Sequence, residues 1–261
     1  PYYSLIQAFT GLVRQILTEK EEKIHRWKDK ILDSCSPNVI LLTDLIPELI
    51  HITGQQPSVN ELPPREAEDR FQKTLQDFVG VFASIDHPLV LFLDDLQWAD
   101  LPTLKFLENI VLKKEVHHLL LIGAYRDNEV DALHPFTLMV QNLEKENIRI
   151  LKIALAPLME FFIERMICDT LHREIGSELP ELVHKKTGGN PFFVRQFLTT
   201  LFRDKHLYYS KEKKWEYNLE AILQTGYSEN VVEVVANRLK ELTQETQEVL
   251  KVASCIGDRF E

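Results

Sequence analysis

Apolar residues Leu5, Ile6, Phe9, Leu12, Val13, Ile16 and Leu17 recur at spacings of three and four, so the chain opens with an amphipathic helix that buries one stripe. A second helical pattern runs through Ile24, Trp27, Ile31 and Leu32 and breaks around Ser36-Pro37-Asn38, because a proline disfavours helical geometry in the residue before it. Three prolines between Gln55 and Pro64 mark an exposed connection, after which Phe71, Leu75, Phe78, Val79 and Phe82 restore the helical period. The pattern then changes. Leu89-Val90-Leu91-Phe92-Leu93 and Leu119-Leu120-Leu121-Ile122 are short, continuous apolar runs bounded by polar residues, which is how strands buried on both faces of a parallel sheet read. Between them, Asp100 is placed to cap a helix with Pro102 in its first turn and Leu104, Leu107, Ile110 and Val111 on its inner face. Strand, helix, strand predicts a right-handed crossover unit. A helix from near Pro135 and a third strand from Ile148 to Leu155 are expected next.

From Pro157 onward helices dominate, at about Met159 to Leu171, Glu178 to Lys186 and Pro191 to Phe202. Leu207-Tyr208-Tyr209 and Trp215-Glu216-Tyr217 flank a lysine-rich turn and predict a hairpin, followed by helices over Ser228 to Leu242 and Thr243 to Ile256.

Composition narrows the function class. The 261 residues carry 30 basic and 40 acidic side chains, a net charge of −10, which disfavours a surface for polyanions such as nucleic acid. No apolar run approaches the roughly 20 residues of a membrane span. The three cysteines, Cys35, Cys168 and Cys255, form no C-x-x-C pair or zinc-ligand spacing and fit a reducing cytoplasm. The chain begins at Pro1 without a methionine or leader pattern and is read as a fragment of a longer protein.

The segment that carries chemistry is Leu93-Asp94-Asp95-Leu96-Gln97-Trp98-Ala99-Asp100, where an apolar strand delivers two adjacent carboxylates to its carboxyl end. Ligands of open α/β sheets bind at that edge. A nucleotide-hydrolysing site needs one carboxylate toward Mg²⁺ and a second group to orient the attacking water, and adjacent acids can divide those tasks. The plainer alternative is that Asp94 and Asp95 cap the next helix or face solvent. Arg126, at the end of the second strand, has its own plain reading as the partner of Asp127 or Glu129. Gly188-Gly189-Asn190-Pro191 by itself is a loop that starts a helix. Lys211, Lys213 and Lys214 read best as a solvated hairpin tip, and His117 and His118 show no metal-ligand spacing.

Leu93 to Asp100 resembles the Walker B segment of STAND ATPases, signal-transduction P-loop ATPases of the additional-strand class related to the AAA group. Leu121 to Asp127 is similar to their sensor strand, Thr187 to Phe193 to their Gly-x-Pro lid motif, and Leu239 to Phe260 to the start of their winged-helix region. The closer resemblance, over essentially the whole chain, is to the ATPase module of large bacterial multi-sensor serine/threonine and histidine kinases, an AAA ATPase domain of the origin-recognition type. It implies an α/β parallel-sheet P-loop NTPase core, partial here, over residues 1–157, a helical lid over 158–205, and a hairpin with a winged-helix start over 206–261. It also implies ATP and Mg²⁺ as cofactors, with Asp94 toward the metal, Asp95 and Arg126 in catalysis, Arg126 reading the γ-phosphate, and Gly189, Asn190 and Pro191 near the adenine.

The implied function is an ATP/ADP switch in which nucleotide binding and slow hydrolysis close the lid onto the core. The implied partners are the attached kinase and sensor domains, with self-association left open and no nucleic acid expected. An inactive ATPase-like scaffold and the ATPase module of a transcription regulator are the alternatives. One departure stands out: no G-x-x-x-x-G-K-[ST] occurs in the sequence. In the family that loop lies upstream and leads out of the central strand, so strand edges left unpaired are expected.

Overall fold

The computed structural model describes residues 1–210, 214–224, 239–240 and 242–256. They form two compact units, Pro1–Leu151 and Lys152–Glu261.

In the first unit, α1 (Tyr3–Leu17) buries Leu5, Phe9, Val13 and Ile16, the stripe read from the sequence. α2 (Glu21–Cys35) ends just before Ser36 and Pro37. Two short helices not anticipated from the sequence, α3 (Val39–Thr43) and α4 (Ile50–Thr53), place Val39, Leu42 and Ile52 in the core, and the 3-10 turn Pro47–Leu49 between them adds Leu49. The proline-rich stretch then leads into α5 (Pro64–Phe82). Phe9, Phe78 and Phe82 pack ring against ring at 5.1–6.0 Å, and Trp27 joins them on Phe82. Phe78 is fully buried at that junction, so its truncation to alanine would cost about 3–5 kcal/mol.

β1 (Leu89–Leu93) and β2 (Leu119–Gly123) pair in parallel, Leu89 opposite Leu119 and Leu93 opposite Gly123. α6 (Leu101–Lys113) connects them, and Asp100 caps it as expected, its Oδ1 accepting from the Thr103 N–H at 2.9 Å. Leu91 and Leu93 face the core. The expectation that both faces of the strands are buried is not met: Val90 and Phe92 are each 56% exposed, and Leu120 and Ile122 beside them are exposed as well. A sheet of two strands has only one of its faces packed on helices among the described residues.

α7 (Pro135–Lys145) follows, capped by His134. The third strand expected over Ile148–Leu155 does not form. Leu151, Ile153 and Leu155 lie exposed, and among the described residues the segment has no neighbouring strand to supply the cross-strand ladder that defines one.

In the second unit, α8 (Glu160–Leu171), α9 (Glu178–Thr187) and α10 (Pro191–Arg203) bury Ile163, Ile167, Leu179, Val183, Val194 and Leu201 together. β3 (Leu207–Tyr209) and β4 (Trp215–Tyr217) form the predicted antiparallel hairpin, with Leu207 opposite Tyr217. α11 (Leu219–Gln224) and α12 (Gln244–Ile256) complete the described elements. Lys211 and Lys213, most of the helix expected over Ser228–Leu242, and the end of the expected winged-helix segment lie outside the described residues.

Candidate functional site

The end of β1 is a tight turn built by its own polar residues. The Asp94 carboxylate (Oδ1) accepts the Asp95 N–H at 2.9 Å, and Asp95 takes a left-handed backbone (φ 52°, ψ 43°) that a short polar side chain tolerates better than a branched one. The chain then enters a 3-10 turn, Leu96–Trp98. Pairing with β2 continues beyond the strands, because Ala124 N–H donates to Leu93 O at 2.8 Å and Leu96 N–H to Ala124 O at 3.0 Å. This register carries Arg126 to Asp95.

Asp95 and Arg126, 31 positions apart, meet with Asp95 Oδ1 at 3.7 Å from Arg126 Nε. Arg126 also donates from Nη1 to Glu129 Oε1 at 3.0 Å, and its guanidinium lies 5.3 Å from the centre of the Trp98 ring. The plain reading of Arg126 as a partner of a nearby acid is thus met by Glu129. Arg126 is 57% exposed, so each of these pairs is worth no more than about 1 kcal/mol. Asp94 is exposed and Asp95 half-buried.

Gln97 lies beneath this group, only 6% exposed. Its Nε2 donates to Asp95 Oδ1 at 2.8 Å, its Oε1 accepts from Arg126 N–H at 3.2 Å, and its carbonyl lies 3.1 Å from His134 Nε2. Neither Gln97 nor His134 drew a role from the sequence; the only signal was a polar residue within an otherwise apolar turn. Asp100 serves structure: its carboxylate takes Thr103 N–H, Thr103 Oγ1 and Tyr2 N–H at 2.9–3.0 Å. Burial pushes that carboxyl up, but those hydrogen bonds outweigh it and hold it below the usual carboxylate range.

Among the described residues no group of three or more His, Cys, Asp or Glu side chains is placed to hold a metal ion. Mg²⁺ needs no such cage, since it keeps several waters and takes one or two carboxylates together with substrate phosphates. An exposed Asp94 at the carboxyl end of a parallel strand suits that donor set.

The residues of the Gly-x-Pro segment form a helix-to-helix turn within the second unit. Gly188 (φ 59°) ends α9 and Gly189 (φ 72°) follows in the same left-handed region. The Gly189 carbonyl accepts from Leu158 N–H at 2.8 Å, and the Asn190 Oδ1 caps α10 by accepting from Phe192 N–H at 3.0 Å. Pro191 occupies the first turn of α10, exposed, beside an exposed Phe192.

Residues 1–122 match the family model of the AAA ATPase domain. That span takes in β1 and Asp94 to Asp100; Arg126 and the turn at Gly189 to Pro191 lie beyond it. The chain is also similar to hybrid signal transduction histidine kinase G of Dictyostelium discoideum, 30% identical over 327 aligned residues that cover 100% of this chain and 9% of the relative. The chain therefore spans less than a tenth of that relative's length. No solved structure matches it. With the mixed α/β fold and its small parallel sheet, these matches show a likeness to the AAA ATPase domain over the first 122 residues. No helix among the described residues is long and apolar enough to cross a membrane.

Proposed function

We propose that this chain belongs to an ATP-dependent switch module of the STAND type, set within a multidomain signalling kinase. The observation that carries this reading is the meeting of Asp95 and Arg126 at 3.7 Å beside Asp94, on the edge of a parallel sheet where α/β proteins bind ligands. Asp94 would hold the Mg²⁺ shell, and the ion would neutralise phosphate charge when bound. Asp95 would orient and deprotonate the attacking water. Arg126 would exchange its weak, exposed pairs with Asp95 and Glu129 for the γ-phosphate, a contact that ADP cannot make. The polar turn of Gly189, Asn190 and Pro191 would contact the base. The chain's similarity to a signal transduction histidine kinase supports an attached kinase as a receiver of the signal; attached sensor domains and a reducing cytoplasm complete the proposed setting.

The test uses the full-length protein with single substitutions. Asp94→Asn is expected to weaken Mg²⁺-dependent nucleotide binding, whereas Asp95→Asn should retain binding and lose turnover by roughly 10²- to 10⁴-fold, the range for a general base. Equal binding losses from both would refute the division of roles. A parent protein that neither binds nor hydrolyses ATP would favour the scaffold reading.

A further inference from the structure

We infer that Gln97 is the positioning residue of this site, and that its buried amide holds the Asp95 carboxylate and the Arg126 main chain in one register. The inference rests on the catalytic role proposed above for Asp95.

The two ends of the Gln97 amide have different partners. A carboxylate only accepts and a peptide N–H only donates, so just one orientation of the amide satisfies both: NH₂ to Asp95 Oδ1 at 2.8 Å, and C=O to Arg126 N–H at 3.2 Å. Any shift of the sensor strand relative to the turn after β1 would break one of the two bonds. Gln97 is buried, so water is poorly placed to replace either.

The main chain at the same residue is tied down from another element. His134 Nδ1 accepts the Phe136 N–H at the start of α7, which leaves the ring proton on Nε2, 3.1 Å from the Gln97 carbonyl. Below the turn, Leu96 is seated against Gly123 at the end of β2. The position of Gln97 is therefore set by β2, α7 and the turn itself, and its amide hydrogen bond restrains rotation of the Asp95 side chain. A water held by Asp95 inherits that orientation.

Two substitutions in the full-length protein test this. Gln97→Leu keeps the volume and removes both hydrogen bonds. It should lower kcat for ATP about 10- to 100-fold with KM nearly unchanged, the signature of lost orientation rather than lost binding. Gln97→Glu keeps an acceptor for Arg126 N–H but faces the Asp95 carboxylate with a second one. The introduced carboxyl can donate as the amide does only when it is protonated, so the rate of this variant relative to parent should rise as pH falls from 8 to 6. His134, Asp94, Asp95, Arg126 and Glu129 surround position 97 in both proteins, so the ratio reads the pH dependence that the introduced carboxyl adds. Gln97→Leu turning over at the parental kcat, or a Gln97→Glu ratio that does not change with pH, would overturn the inference. If Gln97→Leu does not fold, the Gln97→Glu profile decides alone. A parent without ATP turnover would overturn the proposed function, and this inference with it, whereas an active parent with an indifferent Gln97 would overturn the inference only.

Discussion

Leu96 occupies the space that a side chain at Gly123 would need: a Cβ built on Gly123 would stand 2.4 Å from Leu96 Cδ1. Gly123 is the last residue of β2 and Leu96 the first of the 3-10 turn after β1, so the missing side chain on one strand lets the turn on the other settle over it. Leu96 is buried there, and the aspartates just before it are held at the sheet edge as a consequence.

Gly123→Ala is therefore expected to destabilise the protein by about 1–3 kcal/mol, the usual cost of overpacking. Leu96→Ala alone should cost about 2–5 kcal/mol by leaving a cavity. The double variant should cost clearly less than the sum, because the new methyl group fills part of the space the leucine vacates. Urea unfolding of the three proteins measures this, and strict additivity would show that the two positions are not in contact.

The two glycines of the turn between α9 and α10 separate backbone strain from crowding. Gly188 and Gly189 both have positive φ, but a Cβ on Gly188 would meet nothing within 4 Å, whereas one on Gly189 would lie 2.3 Å from the Leu158 carbonyl oxygen. Gly188→Ala should cost about 1–2 kcal/mol for the left-handed backbone alone. Gly189→Ala adds a clash with main chain that cannot rotate away, for a total of roughly 2–5 kcal/mol. Unfolding curves in urea that rank the two the other way would contradict this placement of the turn.

Much of the local structure could be read from the sequence because its causes are local. The stripe of α1, the Asp100 cap with Pro102, and the Asn190-Pro191 helix start each follow from residues within a turn or two of one another. The misses have non-local causes. Ile148 to Leu155 is apolar enough to read as a strand, but a strand exists only through a neighbour, and none is paired to it among the described residues. α3 and α4 are too short for a period to show. Gln97 gains its importance from Arg126 and His134, 29 and 37 positions away, and a glutamine in a turn gives no sign that its amide will be buried between an acid and a peptide N–H.

Cys35, buried at the end of α2, provides a pH test of the first unit. Burial, with a smaller contribution from the Asp77 charge, pushes its thiol up to about 12. An unfolded thiol ionises near pH 8.5. Above that pH the unfolded chain has lost a proton that the folded chain keeps, so this residue's contribution is complete below about pH 8.5 and declines as pH rises toward 12. Stability should fall by roughly 1 kcal/mol per pH unit more steeply in the parent than in Cys35→Ala between pH 9 and 11. In the same range, native protein should be alkylated at the exposed Cys255 well before Cys35. Parallel pH slopes, or equal labelling, would contradict the buried placement.

The last prediction concerns the contacts that would tell ATP from ADP. Arg126 is mostly exposed and, among the described residues, held by Asp95, Glu129 and the face of Trp98, so a γ-phosphate with its larger charge can compete for it. Pro191 is also exposed, fixed at the start of α10 by the Asn190 cap, and presents an apolar ring edge suited to a flat base but indifferent to the phosphate count. In the full-length protein, Arg126→Ala should weaken ATP more than ADP and reduce their affinity ratio, while Pro191→Ala should weaken both alike. Each contact is worth roughly 1–3 kcal/mol, the charged one toward the upper end. Glu129→Gln gives the opposite sign: with one competing carboxylate removed, ATP binding should tighten by up to about 1 kcal/mol and ADP should be unaffected. Titrating the three variants with both nucleotides decides the matter. An unchanged ATP/ADP ratio in Arg126→Ala, or a changed one in Pro191→Ala, would show that these residues do not make the proposed contacts.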